Sequence, residues 1–285
     1  MELKLEHLYK NYKKKVALSD VNLTLSEGVY GLLGENGAGK STLMRILATV
    51  DIQTQGAVAF DGTSIIELGR SYRSLVGYMP QDYNVPPGFT AKTFLNYIGA
   101  LKGIDKKILN RKIPEILEFV NLKEVADKKV TTFSGGMKRR LGIGQAILGE
   151  PKILIFDEPT AGLDPKERIR FSNCISAMSK GKIVILSTHI ISDIEAISNQ
   201  VVVIREGKII ASGKIEKLIK NVEGRIWEAE VPLEVFLRLS RQRKVIRRKQ
   251  KDEDILVRYA GKPFEEADNK AIEPTLEDFY VEQCI

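Results

Sequence analysis

A chain of 285 residues is longer than one average domain and accommodates a large domain with a small one. Apolar residues make up 43% and charged residues 28%, an ordinary balance for a globular protein, and no apolar run approaches the ~18 residues that cross a bilayer, so no spanning segment is expected. The net charge of +7 is concentrated: residues 238–251 (RLSRQRKVIRRKQK) hold eight Lys/Arg and no acid, which leaves the rest of the chain at −1; the main domain is therefore expected to be nearly neutral, which argues against a whole-domain nucleic-acid binder.

The opening Met1-Glu2-Leu3-Lys4-Leu5-Glu6 alternates Leu with charge and has no continuous apolar core. It predicts a first strand rather than a secretory signal. Residues 3–7 and 21–25 read as edge strands, and 29–33 as a short apolar strand entering a Gly-rich loop. A helix is predicted at 41–48 and further strands at 57–60 and 75–79. The pattern then turns helical, at 90–102, 106–119 and 135–148. Residues 152–157 and 182–187 are apolar, β-branched runs typical of buried parallel strands. Glu206-Gly207 between 201–205 and 208–211 is a hairpin signal. Buried strands separated by helices imply a parallel α/β sheet over 1–213. After a linker at 214–220, residues 221–285 read as a small α+β appendage. Trp227, Ala229 and Val231 share one face there, as do Ile255, Val257 and Tyr259, and Pro274 fits the first position of a helix at 275–282. Cys174 and Cys284 lack metal-ligand spacing, which fits a reduced, cytosolic chain without a disulfide.

Gly34-Glu35-Asn36-Gly37-Ala38-Gly39-Lys40-Ser41-Thr42 fits G-x-x-x-x-G-K-[ST] between an apolar strand and a helix. Glycines let backbone N–H groups wrap an oxyanion, and the helix N-terminus adds partial positive charge. Lys40 would reach the β- and γ-phosphates of ATP, and the Ser41 hydroxyl would bind Mg²⁺. The apolar strand Lys152-Ile153-Leu154-Ile155-Phe156 ends in Asp157-Glu158, two carboxylates that should emerge at the strand's C-terminal edge. Asp157 is placed for the Mg²⁺ shell, and Glu158 for polarising an attacking water. Ser134-Gly135-Gly136 opens a Lys/Arg-bearing helix and makes a second anion site. One γ-phosphate cannot occupy two such loops of one chain, which suggests two chains sandwiching the nucleotide.

The order of these motifs over 1–213 resembles the nucleotide-binding subunit of ATP-binding cassette (ABC) transporters. Phe133-Ser134-Gly135-Gly136-Met137 is similar to the family signature Leu-Ser-Gly-Gly-Gln, with Phe for Leu and Met for Gln. Gln81 resembles the glutamine-loop residue that touches Mg²⁺ and communicates with the membrane subunit. Asp164, in Ala161-Gly162-Leu163-Asp164, resembles the dimer-contact loop, His189 the switch histidine at γ-phosphate, and Tyr12 the aromatic that stacks on adenine. The resemblance implies a P-loop NTPase fold: a RecA-like parallel core, an antiparallel β subdomain and a helical subdomain at about 82–148. It implies ATP hydrolysis with Mg²⁺ between two ATPase subunits, identical or different, beside a separate integral membrane permease. That places the chain in the cytoplasm, peripheral at the inner face of the cell membrane. The sequences around 135–148 and 157–164, and the tail Glu273-Pro274-Thr275-Leu276-Glu277-Asp278-Phe279, look most like ATPases of bacterial ABC-2-type exporters.

The basic run 238–251 leaves alternatives open: a solvated face, contact with anionic lipid head groups, or contact with nucleic acid. The last would suit a soluble single-cassette ATPase acting on nucleic acid or an assembly process. The long coiled coils and tandem cassettes of such proteins are absent from the sequence, so nucleic acid is not expected as a partner.

Overall fold

The computed structural model describes residues 1–13 and 15–284, so Lys14 of the lysine-rich stretch 10–15 lies outside the described residues. The chain divides into two compact units, Met1–Ala211 and Ser212–Ile285.

In the first unit, β1 (Glu2–Tyr12) pairs antiparallel with β2 (Lys15–Ser26). β3 (Gly28–Leu33) leads into α1 (Lys40–Leu47). β4 (Gln55–Phe60) returns to β1 and β5 (Thr63–Ser64) to β4, giving an antiparallel sheet of order β2-β1-β4-β5. Short helices α2 (Ile65–Leu68) and α3 (Arg70–Leu75) precede β6 (Val76–Met79). The helical stretch holds α4 (Ala91–Leu101), α5 (Lys106–Phe119) and α6 (Gly135–Ile147). Then follow β7 (Ile153–Phe156), α7 (Pro165–Met178), β8 (Ile183–Thr188), α8 (Ile191–Ile197), β9 (Gln200–Arg205) and β10 (Lys208–Lys214). The second sheet has the order β10-β9-β3-β8-β7-β6, and its β9, β3, β8, β7 and β6 run parallel.

The periodicity explains the packing. Every residue of β7 is fully buried, as a strand covered on both faces must be. Alternate residues serve two cores. Ile153 and Ile155 join Leu43, Met44 and Leu47 of α1 and the leucines Leu3, Leu5 and Leu8 of β1. Leu154 and Phe156 join residues of α4, α5, α6 and α7 instead. Register then brings the strand ends together: Leu33 beside Thr188, Leu186 beside Phe156, Phe156 beside Met79. Whatever follows Leu33, Met79, Phe156 and Thr188 emerges along one sheet edge.

Some elements run longer than their pattern predicts. β1 extends five residues past the expected end at His7, and β2 begins six before Val21. Pairing slips at Leu5/Leu8 and Leu8/Lys10, and His7 and Asp20 have positive φ. Such bulges shift the face that each later residue presents, which breaks the alternation a reader follows.

In the second unit, α9 (Ile215–Lys220) occupies the segment expected to be a linker. β11 (Ile226–Pro232), α10 (Leu233–Gln242), β12 (Lys244–Lys251), β13 (Asp254–Ala260) and β14 (Lys270–Ala271) follow, with sheet order β12-β13-β11-β14, and α11 (Leu276–Cys284) ends the unit. Phe236 and Leu239 of α10 pack on Ala229, Val231, Ile255, Val257 and Tyr259. Arg258, out of phase with those residues of β13, donates to Asp278 of α11: Nε reaches Oδ1 at 2.7 Å and Nη2 bonds Oδ2. The Thr275 N–H and hydroxyl donate to the same carboxylate at 2.6 and 2.8 Å, which caps the helix. Pro274 is therefore not the first helical residue; it precedes the capping Thr275. Asp278 is fully buried, so Asp278→Ala strands the Arg258 charge and removes the cap. We expect a loss of about 3 kcal/mol, read as a lower urea midpoint at Trp227, the chain's one tryptophan. An unchanged midpoint would show that the pair contributes no net stability.

The basic run splits between the end of α10 and the edge strand β12. Arg238 pairs with Glu266 at 2.6 Å, Arg247 with Glu277 at 2.5 Å, and Lys251 with Glu230 at 2.5 Å, while Arg248 lies over the Phe236 ring. Residues 212–285 hold 15 basic and 15 acidic side chains, so this unit is neutral and the +7 belongs to Met1–Ala211. That corrects the expectation of a nearly neutral main domain. The acids missing from the run lie elsewhere in its own unit.

Candidate active site

Gly34 to Gly39 form the turn from β3 into α1. Two glycines are sterically required. A Cβ on Gly34 would stand 2.3 Å from the Ile204 carbonyl oxygen. Gly39 combines φ +113° with a Cβ position 2.7 Å from the Ala17 carbonyl oxygen. Lys40, the first residue of α1, is only 6% exposed. Its Nζ donates to the carbonyl oxygens of Gly34 at 2.6 Å and Glu35 at 3.1 Å, so the ammonium bridges the loop. Burial lowers its pKa, against the opposing pull of Glu158 and Asp157. Ala38 is buried, and its N–H closes the turn onto the Glu35 carbonyl.

Asp157 and Glu158 follow β7 and are 2% and 6% exposed. Asp157 Oδ1 accepts from Ser41 Oγ at 3.2 Å and from Ser187 Oγ at 2.7 Å. Ser187 in turn accepts the Glu158 N–H at 2.8 Å, which holds Glu158 at φ 47°. That left-handed backbone turns the Glu158 carboxylate away from Asp157's partners. Its Oε1 lies 3.8 Å from Lys40 Nζ and its Oε2 3.2 Å from His189 Nδ1. His189, directly after β8, keeps its side chain half exposed. Residues from three strand ends thus meet at the lip of one loop.

A cavity of about 370 Å³ opens over the loop, lined by Tyr12, Asn36, Gly37, Gly39, Lys40, Ser41, Thr42, Gln81 and Glu158. Lys15 and Ala17 line it too, and no motif announced them. Ser187 was the other residue missed. A hydroxyl directly after the apolar run 183–186 was its only signal in the sequence, and the structure buries it fully. Gln81 is exposed, and its carbonyl oxygen accepts from Arg139 Nη1 of α6 at 2.6 Å. Gln145 of the same helix donates to the Tyr78 carbonyl at 2.6 Å, so α6 grips the segment that carries Gln81.

Ser134, Gly135, Gly136 and Asp164 do not line that cavity. Ser134 caps α6, accepting the Met137 N–H at 3.2 Å. A Cβ on Gly135 would meet only open space. Asp164 caps α7 through the Glu167 N–H at 2.8 Å. These are well-formed helix starts that lie outside the lining of their own chain's nucleotide cavity.

A family profile described as ABC transporter matches residues 18–161, from β2 through the phosphate loop and the Ser134 helix start to just past Glu158. An uncharacterized ABC transporter ATP-binding protein of Bacillus subtilis is 36% identical over 230 residues, covering 80% of this chain and 76% of that protein. This chain belongs to the ABC transporter ATP-binding family. A Nod factor export ATP-binding protein I of Cupriavidus pinatubonensis is 37% identical over 224 residues, 78% of this chain and 69% of that one. Among solved structures, the ATP-binding subunit of an ABC transporter superposes with a TM-score of 0.71 at 26% identity, covering 78% of this chain and 93% of that one. A dimeric ATP-binding cassette in a post-hydrolysis state, bound to ADP and phosphate, superposes with a TM-score of 0.69 at 26% identity, covering 74% and 98%. This cassette is accordingly an ATPase and the ATP-binding subunit of an ABC transporter. Among its described residues no helix is long and apolar enough to cross a membrane.

Proposed function

We propose that two ATPase subunits close head to tail around two ATP molecules and drive a separate integral membrane permease in export. Each site takes Lys40, Ser41, Gln81, Asp157, Glu158 and His189 from one chain, with Tyr12 against the base. Ser134, Gly135 and Gly136 come from the other chain, whose Asp164 segment forms the dimer contact. The observation that carries this reading is Glu158, set between Lys40 and His189 at the lip of the phosphate loop. A carboxylate there is placed to take a proton from water as the water attacks the γ-phosphorus. The bond to the β–γ bridging oxygen breaks, ADP and phosphate form, and His189 keeps water and γ-phosphate in register.

The donor set suits Mg²⁺. The Ser41 hydroxyl and Asp157 carboxylate lie side by side as hard oxygen ligands, and Mg²⁺ is commonly held by one or two such groups together with phosphates and water. Gln81, on the cavity wall, is the third residue assigned to it. When bound, the ion neutralises phosphate charge.

Names of relatives that carry "export" support the direction, and the ABC-2-type resemblance supports a permease on a separate chain. Such a subunit sits in the cytoplasm, at the inner face of the membrane. The rival reading, a nucleic-acid or assembly ATPase, rested on residues 238–251, three of whose eight basic side chains pair with carboxylates within a neutral unit. The test is affinity purification from detergent-solubilised membranes. An integral membrane protein of several spans should co-purify in stoichiometric amount and stimulate ATPase activity. Recovery of the cassette alone, or with nucleic acid, would sink the proposal.

A further inference from the structure

Tyr12 ends β1 and is 41% exposed, next to the hairpin that joins β1 to β2. An exposed ring at a strand end has rotamer freedom, and a wall for a base needs that freedom removed. The surroundings of Tyr12 do this. Its hydroxyl donates to Asp51 Oδ2. Asp51 Oδ1 accepts from Lys10 Nζ at 2.5 Å and from the Ile52 N–H at 2.8 Å. Lys10 Nζ also donates to the Ile52 carbonyl at 2.5 Å and stands 4.8 Å from the centre of the Tyr12 ring. The Lys10 and Asp51 side chains are only 12% and 17% exposed, so the pair shelters behind a ring more exposed than itself.

Asp51 belongs to the turn that follows α1. The Val50 and Asp51 N–H groups both donate to the Arg45 carbonyl, which folds that turn back along the helix. Thr42, the last residue of the phosphate-loop motif, lines the same cavity as Tyr12. The base wall is thereby tied to the helix whose first residues face phosphate. Burial pushes the Asp51 carboxyl up, yet hydrogen bonds from Lys10, Tyr12 and Ile52 outweigh it and hold the pKa at about 2. Asp51 stays an acceptor at any physiological pH.

We propose that Lys10 and Asp51 are positioning residues for the base: Asp51 anchors the Tyr12 hydroxyl, Lys10 covers one ring face, and an adenine stacks on the other. This rests on Tyr12 being the base-stacking residue. Lys10 is fixed at two oxygens, so it does not compete for the open face. The clamp acts on the base half of the nucleotide and leaves the phosphate half untouched.

The test compares ATP with inorganic tripolyphosphate, which has phosphates and no base. Tyr12→Phe keeps the ring and deletes the anchor, and Asp51→Leu deletes it from the other side. Each should raise the KM for ATP about three- to tenfold, the scale of one lost hydrogen bond and some stacking. Inhibition by tripolyphosphate should stay within about twofold, which also reports that the variant is folded. Asp51→Asn keeps an acceptor and should recover most of the loss. Lys10→Met should raise the KM for ATP as well. If Tyr12→Ala raises the KM but Tyr12→Phe and Asp51→Leu do not, the clamp is wrong and the stacking role stands. If Tyr12→Ala changes nothing, the base-site assignment itself fails and takes the clamp with it. A lower KM for Lys10→Met would mean that Lys10 blocks the base, and would overturn the proposal.

Discussion

Glu158→Gln should lose roughly 10²–10⁴-fold in kcat while retaining ATP binding, the span attributed to a positioned general base. The expectation is sharp because the substitution isolates one property. Gln has the volume of Glu and an oxygen that still faces His189, which lies 3.2 Å from the native carboxylate. The left-handed backbone at residue 158 is held by the Ser187 hydroxyl and not by the side chain, so it should persist. What disappears is the negative charge, and with it the capacity to accept a proton. ATP then remains an unspent interfacial ligand. With ATP and Mg²⁺ the variant should elute as a dimer on size exclusion, whereas the wild type returns to monomer as it hydrolyses. Normal turnover by Glu158→Gln would reassign the base. A dead variant that stays monomeric with ATP would separate hydrolysis from dimerisation and weaken the sandwich.

How much of this was legible in the residues depends on what each signal encodes. The parallel core could be read because burial on both faces forces unbroken apolar runs, as in Ile153-Leu154-Ile155-Phe156. α5 matches its expected span 106–119; Asp105 caps its start through the Lys107 N–H, and its apolar stripe keeps helical spacing despite Pro114. The antiparallel sheet was only half legible. Its long strands carry bulges and polar outer faces, and each bulge resets the alternation. The appendage hid its elements in a different way. The basic run looked like one feature in sequence, yet its first part turns on a helix and its second lies on an edge strand. Charge says nothing about periodicity when nearly every residue is charged.

The site divides along similar lines. Motif residues were found because backbone geometry dictates their type: Gly34 and Gly39 have no room for a Cβ, and a loop of N–H groups needs them so. Supporting residues were missed because any donor or acceptor of the right reach would serve. Ser187 joins Asp157 to the Glu158 backbone from the neighbouring strand β8, and Asp51 reaches Tyr12 across 39 residues. Such contacts exist only once the sheet and the turn after α1 have formed. They are tertiary facts, absent from any local pattern.

The proposed head-to-tail arrangement yields the second large effect, from mixing two inactive variants. Lys40→Ala removes the cation from a chain's own phosphate loop, where Nζ bridges the Gly34 and Glu35 carbonyls. Gly135→Asp damages only what the chain offers its partner. A Cβ there meets open space, and an acid in the first turn of α6 favours the helix dipole, so the variant should fold. Its carboxylate would nonetheless stand where a partner's γ-phosphate must approach. Each variant alone should be inactive. In a mixed pair, one site combines both defects and the other has neither, since the Gly135→Asp chain supplies an intact loop and the Lys40→Ala chain an intact helix start. If identical chains pair at random, equal mixing should restore about a quarter of wild-type activity, because half the dimers are mixed and each holds one good site of two, assuming the sites act independently. Activity well below that level would indicate that the sites fire only together, and a further Glu158→Gln change in the Gly135→Asp chain should then abolish what remains. No recovery at all, with mixed dimers demonstrated by differential tagging and with Gly135→Asp still dimerising on ATP as the wild type does, would place Ser134, Gly135 and Gly136 in their own chain's site and overturn the sandwich. The experiment reads geometry through chemistry: only a shared site lets two broken chains make one working one.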